Sequence, residues 1–388
     1  MKRGLSGEYR LTVVGGETIR AFVPRPLPPD PPLDFSPQRR QLLERATLAL
    51  GRLDSISLLL PDPDIFLYAY IRREALLSSQ IEGTQSSFAD LLLFELEGAP
   101  GVPIDDVVEV SNYVAALEHG LQRLREGFPL CNRLIREMHA ILLSRGRGSK
   151  KSPGEFRRTQ NWIGGTRPGN AHFVPPPPDE VPHCMADLER FLNSENTPYP
   201  TLVNAALAHV QFETIHPFLD GNGRMGRLLI AFILYHKGLL RRPLLYLSLY
   251  FKQHRDEYYR LLDLVRVEGV WEAWLDFFLE GVEQTAENAV QTAQRLVHLF
   301  QEDARKIRQQ AGRRANTALR VFDVLCERPL LTLAEVKRRT GLSFPGAANG
   351  MNTLVELDIA REITGKKRNR IFAYDRYLSI LSEGTEPL

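Results

Sequence analysis

The chain has 388 residues, of which 43% are hydrophobic and 25% charged, with a formal net charge of +2. This composition is typical of a globular protein with at least one sizeable core, and so small a net charge favours no class of partner. Three widely separated cysteines, Cys131, Cys184 and Cys326, argue against a disulfide framework or a zinc ribbon and suit a reducing compartment. The first 14 residues lack the apolar centre of a secretory signal, and the apolar run 228–235 is too short to cross a bilayer. We therefore expect a cytoplasmic protein without a membrane partner.

The predicted elements are mainly helical. Residues 1–33 end in a proline-rich stretch, which predicts an extended arm or a linker because proline does not fit inside a helix. Residues 150–178 are rich in glycine and proline and contain short apolar pieces, which indicates a β-hairpin. Between and after these stretches the apolar spacing predicts helices over 36–58, 63–79, 105–145 (two helices divided near 127–129), from 179 onward, and over 201–214, 222–237, 250–267 and 270–311.

The tail from about residue 314 has a different pattern. Three helices are predicted, over 317–326, 333–339 and 345–357, followed by strands over 359–363 and 370–374. Three helices followed by a basic two-stranded wing are typical of a winged helix-turn-helix module. The sequence therefore predicts a separate C-terminal unit.

Residues 216–227, His-Pro-Phe-Leu-Asp-Gly-Asn-Gly-Arg-Met-Gly-Arg, are the most informative stretch. A glycine turn that leads into a helix leaves backbone N–H groups unpaired, and such a cradle attracts phosphate. His216 precedes the turn as a candidate base, Asp220 is an oxygen ligand of the kind that Mg²⁺ prefers, and Arg224 and Arg227 follow at helical spacing. Each feature alone is usually structural, but their order before an apolar helix favours a phosphate site. Zinc is disfavoured because no second histidine or cysteine lies at ligand spacing.

This stretch resembles the Fic family motif, H-x-F-x-[DE]-G-N-G-R-x-x-R. The match includes every specified position, namely His216, Phe218, Asp220, Gly221, Asn222, Gly223, Arg224 and Arg227. The resemblance implies a mainly α fold with a Fic-type helical core and a small β-hairpin flap. It divides the chain into an N-terminal Fic-associated segment with an inhibitory helix (1–100), a Fic catalytic domain (101–312) and a winged helix-turn-helix domain (313–388).

The resemblance also implies an activity, the transfer of AMP from ATP to a Ser, Thr or Tyr hydroxyl of a protein, including the enzyme itself. His216 would be the base, and Asp220 would bind a Mg²⁺ ion that bridges the α- and β-phosphates. Phe218 is expected to anchor the loop by packing. Contacts with the nucleotide are expected from Gly221, Asn222, Gly223, Arg224, Met225, Gly226 and Arg227. Adenine contacts are expected from Gln253 and Tyr258, although Tyr250 and Tyr259 on the same predicted helix stay open as alternatives.

Residues 78–83, Ser-Ser-Gln-Ile-Glu-Gly, match the inhibitory motif of the family, [ST]-x-x-x-E-[GN], at Ser78, Glu82 and Gly83. A carboxylate at the end of a helix can form a bidentate pair with Arg227. That pair would remove the cation needed by the γ-phosphate of ATP. Glu82 could also position a water for removal of AMP from a target, and the alternative is an exposed acid at a helix end.

Residues 160–174, with Trp162, Ile163 and Phe173, are the candidate flap. In the family this flap holds the backbone of the target by strand addition. The alternative is an ordinary surface loop.

Several partners and activities stay open. The basic residues of the predicted wing and those near the second helix of the tail could contact DNA through residues 313–388, namely Lys337, Arg338, Arg339, Lys366, Lys367, Arg368 and Arg370. Protein docking by this unit is an equal alternative, and a homodimer is also open. A phosphotransferase of the Doc type and a nucleotide-sensing DNA-binding regulator are the competing functions, and the intact Gly223 argues against the former.

Overall fold

The structure is a computed structural model that describes residues 2–59, 63–97, 104–366 and 368–387. The chain begins with a β-hairpin, in which strand Gly7–Val14 (β1) pairs antiparallel with strand Glu17–Pro24 (β2). The two-residue turn is Gly15-Gly16, and both residues have positive φ, as the tight turns of β-hairpins require. The prediction of an extended arm or linker for residues 1–33 was therefore wrong over 7–24, where the glycine pair was the missed signal.

Helices build most of the molecule. In chain order they are Pro37–Leu59 (α1), Pro63–Ile81 (α2), Phe88–Glu97 (α3), Ile104–Arg125 (α4), Asn132–Leu142 (α5), Val181–Asn193 (α6), Thr201–Ile215 (α7), Asn222–His236 (α8), Ser248–Gln253 (α9), Arg255–Glu268 (α10) and Trp271–Gln310 (α11). The single helix predicted over 250–267 is two helices, because the backbone of His254 leaves the helical region. Helix α3 was not predicted.

Helices α7 and α8 lie at the centre and pack against each other. Helix α7 is buried on all sides from Val203 onward except at Asn204, and α8 is buried over most of its length. Close packing on every side fixes both helices. The six residues that join them, 216–221, are therefore presented by a rigid support.

The C-terminal elements are Ala315–Glu327 (α12), Leu330–Thr332 (β3), Leu333–Thr340 (α13), Phe344–Glu356 (α14), Arg361–Glu362 (β4), Ile371–Ala373 (β5) and Asp375–Ser382 (α15). They contain a three-stranded antiparallel sheet of order β3-β5-β4. The three helices and the last two strands lie where the sequence predicts them, whereas β3 and α15 were not predicted. Lys367 of the predicted wing lies outside the described residues.

The C-terminal elements share one hydrophobic core with the rest of the chain. The hydroxyl of Tyr374 donates to Asp303 of α11 at 2.5 Å, and α15 packs against both α11 and α2. The prediction of a separate unit therefore holds for the order of elements but not for their packing. In the described part of the chain, no helix combines the length and apolar character needed to span a membrane.

Candidate active site

The start of α8 forms a cradle for an anion. Gly221 precedes the helix with φ of +77°, a left-handed conformation that favours glycine. The first backbone bond of the helix runs from the N–H of Met225 to the carbonyl of Gly221, at 3.0 Å. The N–H groups of residues 222–224 precede that bond and, as at other helix starts, point out of the helix end.

The side chain of Asn222 closes the loop in front of this helix. Its Oδ1 accepts a hydrogen bond from the N–H of Phe218 at 2.8 Å, and its Nδ2 donates to the carbonyl of Phe218 at 2.9 Å. Both polar atoms of this buried amide are thus engaged within the loop. Asn222 was predicted to contact the nucleotide. Because its side chain is engaged within the loop, only its backbone N–H is placed to make that contact.

His139 on α5 holds the same loop from behind. Its Nδ1 accepts the N–H of Gly154 at 2.9 Å, so its Nε2 carries the proton and donates to the carbonyl of Asp220 at 2.9 Å. The ring stacks on Phe218 with centroids 3.6 Å apart. Burial lowers the pKa of His139 to about 4, so the ring stays neutral near pH 7 and keeps this tautomer.

His216, the candidate base, lies directly after α7 and is half-buried. Its φ is +48°, a strained conformation for a residue other than glycine that the surrounding structure must hold in place. Burial lowers the pKa of His216 to about 3, and the positive charges of Arg157 and Arg266 act in the same direction. The imidazole is therefore neutral near pH 7, as a base must be before it accepts a proton.

Arg157 fixes the backbone around His216. Its Nε donates to the carbonyl of His216 at 2.9 Å, its Nη2 donates to the carbonyl of Pro176 at 2.5 Å, and its own N–H donates to the carbonyl of Pro217 at 2.9 Å. The side chain is 2% exposed, and burial lowers its pKa to about 10. A buried guanidinium bound to several carbonyls holds the strained turn in one conformation.

Arg224 binds two acids beside the cradle. Its Nη1 lies 3.2 Å from Oε2 of the buried Glu109, and its Nη2 lies 3.4 Å from Oδ1 of Asp220. The side chain of Asp220 is 33% exposed, and its Oδ1 also accepts the N–H of Gly221 at 2.6 Å. The Asp220 carboxylate is thus oriented at the mouth of the cradle. The buried side chain of Arg224 is held beside the cradle by these two acids.

Glu82 lies over the start of α8. Its Oε1 accepts a hydrogen bond from Nη2 of Arg227 at 2.7 Å, and a β-carbon added to Gly223 would lie only 2.2 Å from the same oxygen. A bidentate pair was predicted, but the structure has a single hydrogen bond between the two side chains. Other donors of Arg227 are engaged by Ser78, because Nε donates to Oγ of Ser78 at 2.9 Å and Nη2 also donates to the Ser78 carbonyl at 2.9 Å. Burial acts to raise the pKa of Glu82, but the charge of Arg227 and its hydrogen bond outweigh burial and lower it. An ionised carboxylate therefore lies at the point where the cradle would hold a phosphate.

The candidate flap contains one antiparallel bridge, between Ile163 and Phe173, with N–H to carbonyl distances of 2.8 and 3.1 Å. Trp162 is 38% exposed, whereas Phe173 is buried. On the other side of the flap, the N–H of Phe22 in β2 donates to the carbonyl of Val174 at 2.9 Å. The N-terminal hairpin thus covers the side of the flap that contains Val174. Trp162, on the other strand of the flap, is partly exposed.

Comparisons with known proteins agree with this arrangement. Residues 40–122 match the sequence model described as "Fic/DOC family N-terminal", and residues 129–234 match that described as "Fic/DOC family". Residues 40–122 and 129–234 are thus a Fic N-terminal region and a Fic domain. All the positions of the 216–227 motif lie within the second match.

Relatives and solved structures extend the comparison. The "Protein adenylyltransferase Fic" of Drosophila yakuba and that of Drosophila melanogaster are each 33% identical over 208 residues, which are 53% of this chain and 39% of the relative. The chain thus spans about two fifths of the length of these curated relatives. A Fic family protein from Desulfovibrio desulfuricans G20 aligns with a TM-score of 0.57 at 22% identity, over 89% of this chain and 98% of that one. A Fic domain containing signaling protein from Bacteroides thetaiotaomicron aligns with a TM-score of 0.52 at 20% identity, over 65% and 97%. The predicted mainly helical Fic fold is therefore confirmed, whereas the winged helix-turn-helix interpretation of residues 313–388 stays a prediction.

The predicted adenine contacts of the Fic/DOC domain divide into buried and exposed residues. Tyr258 is buried, and its hydroxyl lies 2.8 Å from Nε2 of His209, so its ring belongs to the core and does not support the predicted nucleotide contact. Tyr250 is also buried, whereas Gln253 is exposed. Tyr259 is 42% exposed; burial raises its pKa, and Glu82 and Arg227 act on it electrostatically. Tyr259 is therefore the more exposed of the two tyrosines of α10.

Met225 and Gly226 of the Fic motif face inward. The side chain of Met225 is buried, the carbonyl of Gly226 lies 3.0 Å from Nδ1 of His209, and a β-carbon on Gly226 would lie 2.2 Å from Oε1 of Glu213. Their side-chain positions therefore support α8 from the core and do not reach the cradle. The nucleotide contacts expected from residues 221–224 and from Arg227 stay predictions.

Sequence reasoning missed three residues that hold this site together, namely His139, Arg157 and Glu109. They come from α5, the loop before the flap and α4, and no local motif marks them. The residues next to His139 in the sequence form no recognisable motif. The role of His139 is therefore visible only in the structure, where the fold places it under the loop.

Proposed function

We propose that the protein is a protein adenylyltransferase, which transfers AMP from ATP to a Ser, Thr or Tyr hydroxyl of a protein and also modifies itself. The single observation that carries this proposal is the placement of a neutral His216 in the loop that leads into α8, where Oε1 of Glu82 pairs with Arg227 at 2.7 Å. The name of the relatives, "Protein adenylyltransferase Fic", supports it over the matched region. A cytoplasmic location is part of the same proposal.

The proposed reaction begins at the target hydroxyl. Neutral His216 accepts the proton of the hydroxyl, whose oxygen then attacks the α-phosphorus of ATP; the bond to the bridging oxygen breaks and pyrophosphate leaves. Because a nearby negative charge favours the protonated imidazole, bound triphosphate raises the pKa of His216 from about 3 and makes it a stronger base. The N–H groups at the start of α8 stabilise the charge that develops on the phosphate oxygens.

The donor set at the cradle fits Mg²⁺. Mg²⁺ is commonly held by one or two carboxylates together with phosphate oxygens and waters, and Asp220 offers a partly exposed carboxylate at the cradle mouth. In the described part of the chain no cluster of three or more His, Cys, Asp or Glu residues could hold a metal by itself, so the substrate phosphates would supply the remaining oxygens. The ion would neutralise charge on the polyphosphate.

In the proposed inhibited state, Glu82 competes with the γ-phosphate for Arg227. A carboxylate and a phosphate repel each other when they share one site, and Arg227 has its Nε and Nη2 committed to Ser78 and Glu82. ATP can then bind only with its γ-phosphate displaced, so that the α-phosphate is misplaced for attack. Removal of Glu82 should therefore increase the rate of transfer.

A labelling experiment tests the class of reaction. The Glu82→Gly variant is incubated with Mg²⁺ and either α-³²P-ATP or γ-³²P-ATP, with His216→Ala added in the same background as the control. Label from α alone that depends on His216 supports AMP transfer. Label from γ alone supports a phosphotransferase of the Doc type, and label from neither, with a tight DNA complex, supports a nucleotide-sensing regulator.

DNA binding and AMP removal have less support. Two of the basic residues in α13 already have acidic partners, Arg338 with Glu335 at 2.5 Å and Arg339 with Glu327 at 2.9 Å, so they offer less charge to a phosphate backbone. AMP removal from a pre-modified target would need Glu82 to position a water, and absence of AMP release from such a target with Mg²⁺ would rule it out. The homodimer likewise stays a prediction, to be checked by light scattering.

A further inference from the structure

The chain turns back over the end of α2 after α15. The backbone carbonyls of residues 383–386, which we call the C-terminal brace, accept hydrogen bonds from three side chains. Nη2 of Arg73 donates to Glu383 at 2.6 Å, Nε2 of Gln80 donates to Thr385 at 2.8 Å, and Nζ of Lys252 donates to Glu386. Two of these donors, Arg73 and Gln80, belong to α2, the helix that ends at the inhibitory glutamate.

The brace is built into the protein and does not lie loosely on its surface. The three donor side chains are all buried, as is Thr385. Nζ of Lys252 also donates to Oε1 of Gln80 at 2.7 Å, so both the oxygen and the nitrogen of the Gln80 side-chain amide are hydrogen-bonded. Buried polar groups of this kind are costly to separate, because each would lose its partner without gaining water.

The brace and Arg227 bind opposite faces of the same helical turn. Ser78 and Glu82 are four residues apart and face Arg227, whereas Gln80 lies between them in the sequence. Since each residue of a helix advances the side chain by about 100°, Gln80 points about 200° away from Ser78. The end of α2 is therefore held between Arg227 on one side and the brace on the other.

We propose that the C-terminal brace holds the end of α2 in its inhibiting position and thereby sets the strength of inhibition by Glu82. On this proposal Glu82, which follows α2 directly, leaves Arg227 when the last turn of α2 moves, and that movement breaks the bond of Gln80 to the brace. Anything that withdraws residues 383–386 from α2 then increases transfer at the active site. This inference rests on the proposed adenylyltransferase function.

The test uses full-length variants that remove a brace contact. Lys252→Met and Gln80→Leu are each measured for AMP transfer from α-³²P-ATP, alone and combined with Glu82→Gly. Each variant removes at least two hydrogen bonds, and one hydrogen bond of this kind shifts an equilibrium about fivefold. Each variant should therefore increase transfer by at least roughly fivefold on its own and leave the Glu82→Gly rate unchanged. The matched control is Lys306→Met, which removes a lysine bond to the carbonyl of Leu357, away from α2, and should leave the rate unchanged.

Because the substitutions of buried residues could impair folding, the test also includes a variant at the surface. Arg295 is about half exposed and pairs with Glu383 at 2.5 and 2.6 Å, so Arg295→Ala loosens the brace from outside and should give a smaller increase of the same sign. The brace proposal is overturned if transfer by Lys252→Met, Gln80→Leu and Arg295→Ala equals that of the wild type, or if the increase persists undiminished in the Glu82→Gly background.

A second readout separates this proposal from the proposed function. Amide hydrogen exchange of residues 79–84 should be faster in Lys252→Met than in the wild type or in Lys306→Met, whatever the activity. If Glu82→Gly transfers no label at all, the proposed function fails, while faster exchange still supports the brace. Equal exchange in all three proteins would overturn the brace even in an active enzyme.

Discussion

Oε1 of Glu82 accepts a hydrogen bond from Nη2 of Arg227 at 2.7 Å and simultaneously lies over Gly223, where an added β-carbon would come within 2.2 Å of it. The carboxylate thus meets both features that a terminal phosphate would use, an arginine and the start of a helix. The N-terminus of a helix favours a negative charge, so Glu82 is stabilised by the same interactions that would bind the nucleotide. In the proposed inhibition, two anions therefore compete for one place.

The first prediction concerns nucleotide preference. While Glu82 holds Arg227, the γ-phosphate gains no cation, so the wild type should bind ATP and ADP with similar affinity in the presence of Mg²⁺. Glu82→Gln keeps the volume but loses the charge, and we expect it to favour ATP over ADP by about tenfold, as for one charge-assisted hydrogen bond. Isothermal titration calorimetry with each nucleotide measures the ratio. An unchanged ratio would mean that Glu82 does not compete with the γ-phosphate.

The second prediction concerns Ser78, whose Oγ accepts Nε of Arg227 at 2.9 Å. Ser78→Ala removes one of the bonds that hold Arg227 against α2, so transfer should rise by roughly fivefold, for a loss of about 1 kcal/mol. Ser79→Ala is the matched control, because the buried Oγ of Ser79 has no hydrogen-bond partner among the residues that the structure describes. Initial rates of labelling compare the three proteins, and a rise with Ser79→Ala as large as with Ser78→Ala would contradict the role of Ser78.

The third prediction concerns pH. The pKa of His216 in the free protein is lowered to about 3, so its neutral form is fully present above about pH 4 and is lost only as the pH falls through this value. The kcat/KM of an active variant such as Glu82→Gly reports groups of the free enzyme, and it should show no fall assignable to His216 between pH 5 and 8. Removal of Glu82, whose charge acts to raise this pKa, shifts it further in the same direction. An acidic limb near pH 6.5 in kcat/KM would contradict this.

Much of the site could be predicted because its chemistry lies within twelve consecutive residues. The order of His216, Asp220 and the glycine turn is local, and so is the spacing of Ser78 and Glu82. Arg157 and His139 could not be found in this way, since they lie 59 and 81 residues before the carbonyls that they bind. Only the folded chain brings them together.

The helices themselves were mostly predictable from apolar spacing, but the side that each presents was not. Tyr258 and Tyr259 are adjacent on α10, yet one is buried against His209 and the other is exposed near Glu82. A single sequence does not show which face of an amphipathic helix meets a ligand. The N-terminal hairpin, by contrast, could have been predicted from Gly15-Gly16, since a glycine pair is typical of a tight hairpin turn. The proline-rich stretch that follows favoured an extended arm instead.

The fourth prediction concerns His139, which supports the loop through the N–H of Gly154 and the carbonyl of Asp220. His139→Phe preserves an aromatic ring that can stack on Phe218 but leaves these two backbone groups without partners. The free energy of unfolding should fall by about 2 kcal/mol, and transfer by the Glu82→Gly protein should fall with little change in KM. Urea unfolding and steady-state kinetics measure the two effects; unchanged stability would show that these contacts do not hold the loop.

The most direct measurement compares transfer from α-³²P-ATP by three proteins, the wild type, Glu82→Gly and Glu82→Gly/His216→Ala. If Glu82 blocks the cradle and His216 is the base, labelling will be weak in the wild type, at least tenfold stronger in the single variant, as for loss of one charge-assisted pair, and absent in the double variant. Equal labelling by the wild type and the single variant, or undiminished labelling by the double variant, would contradict the account.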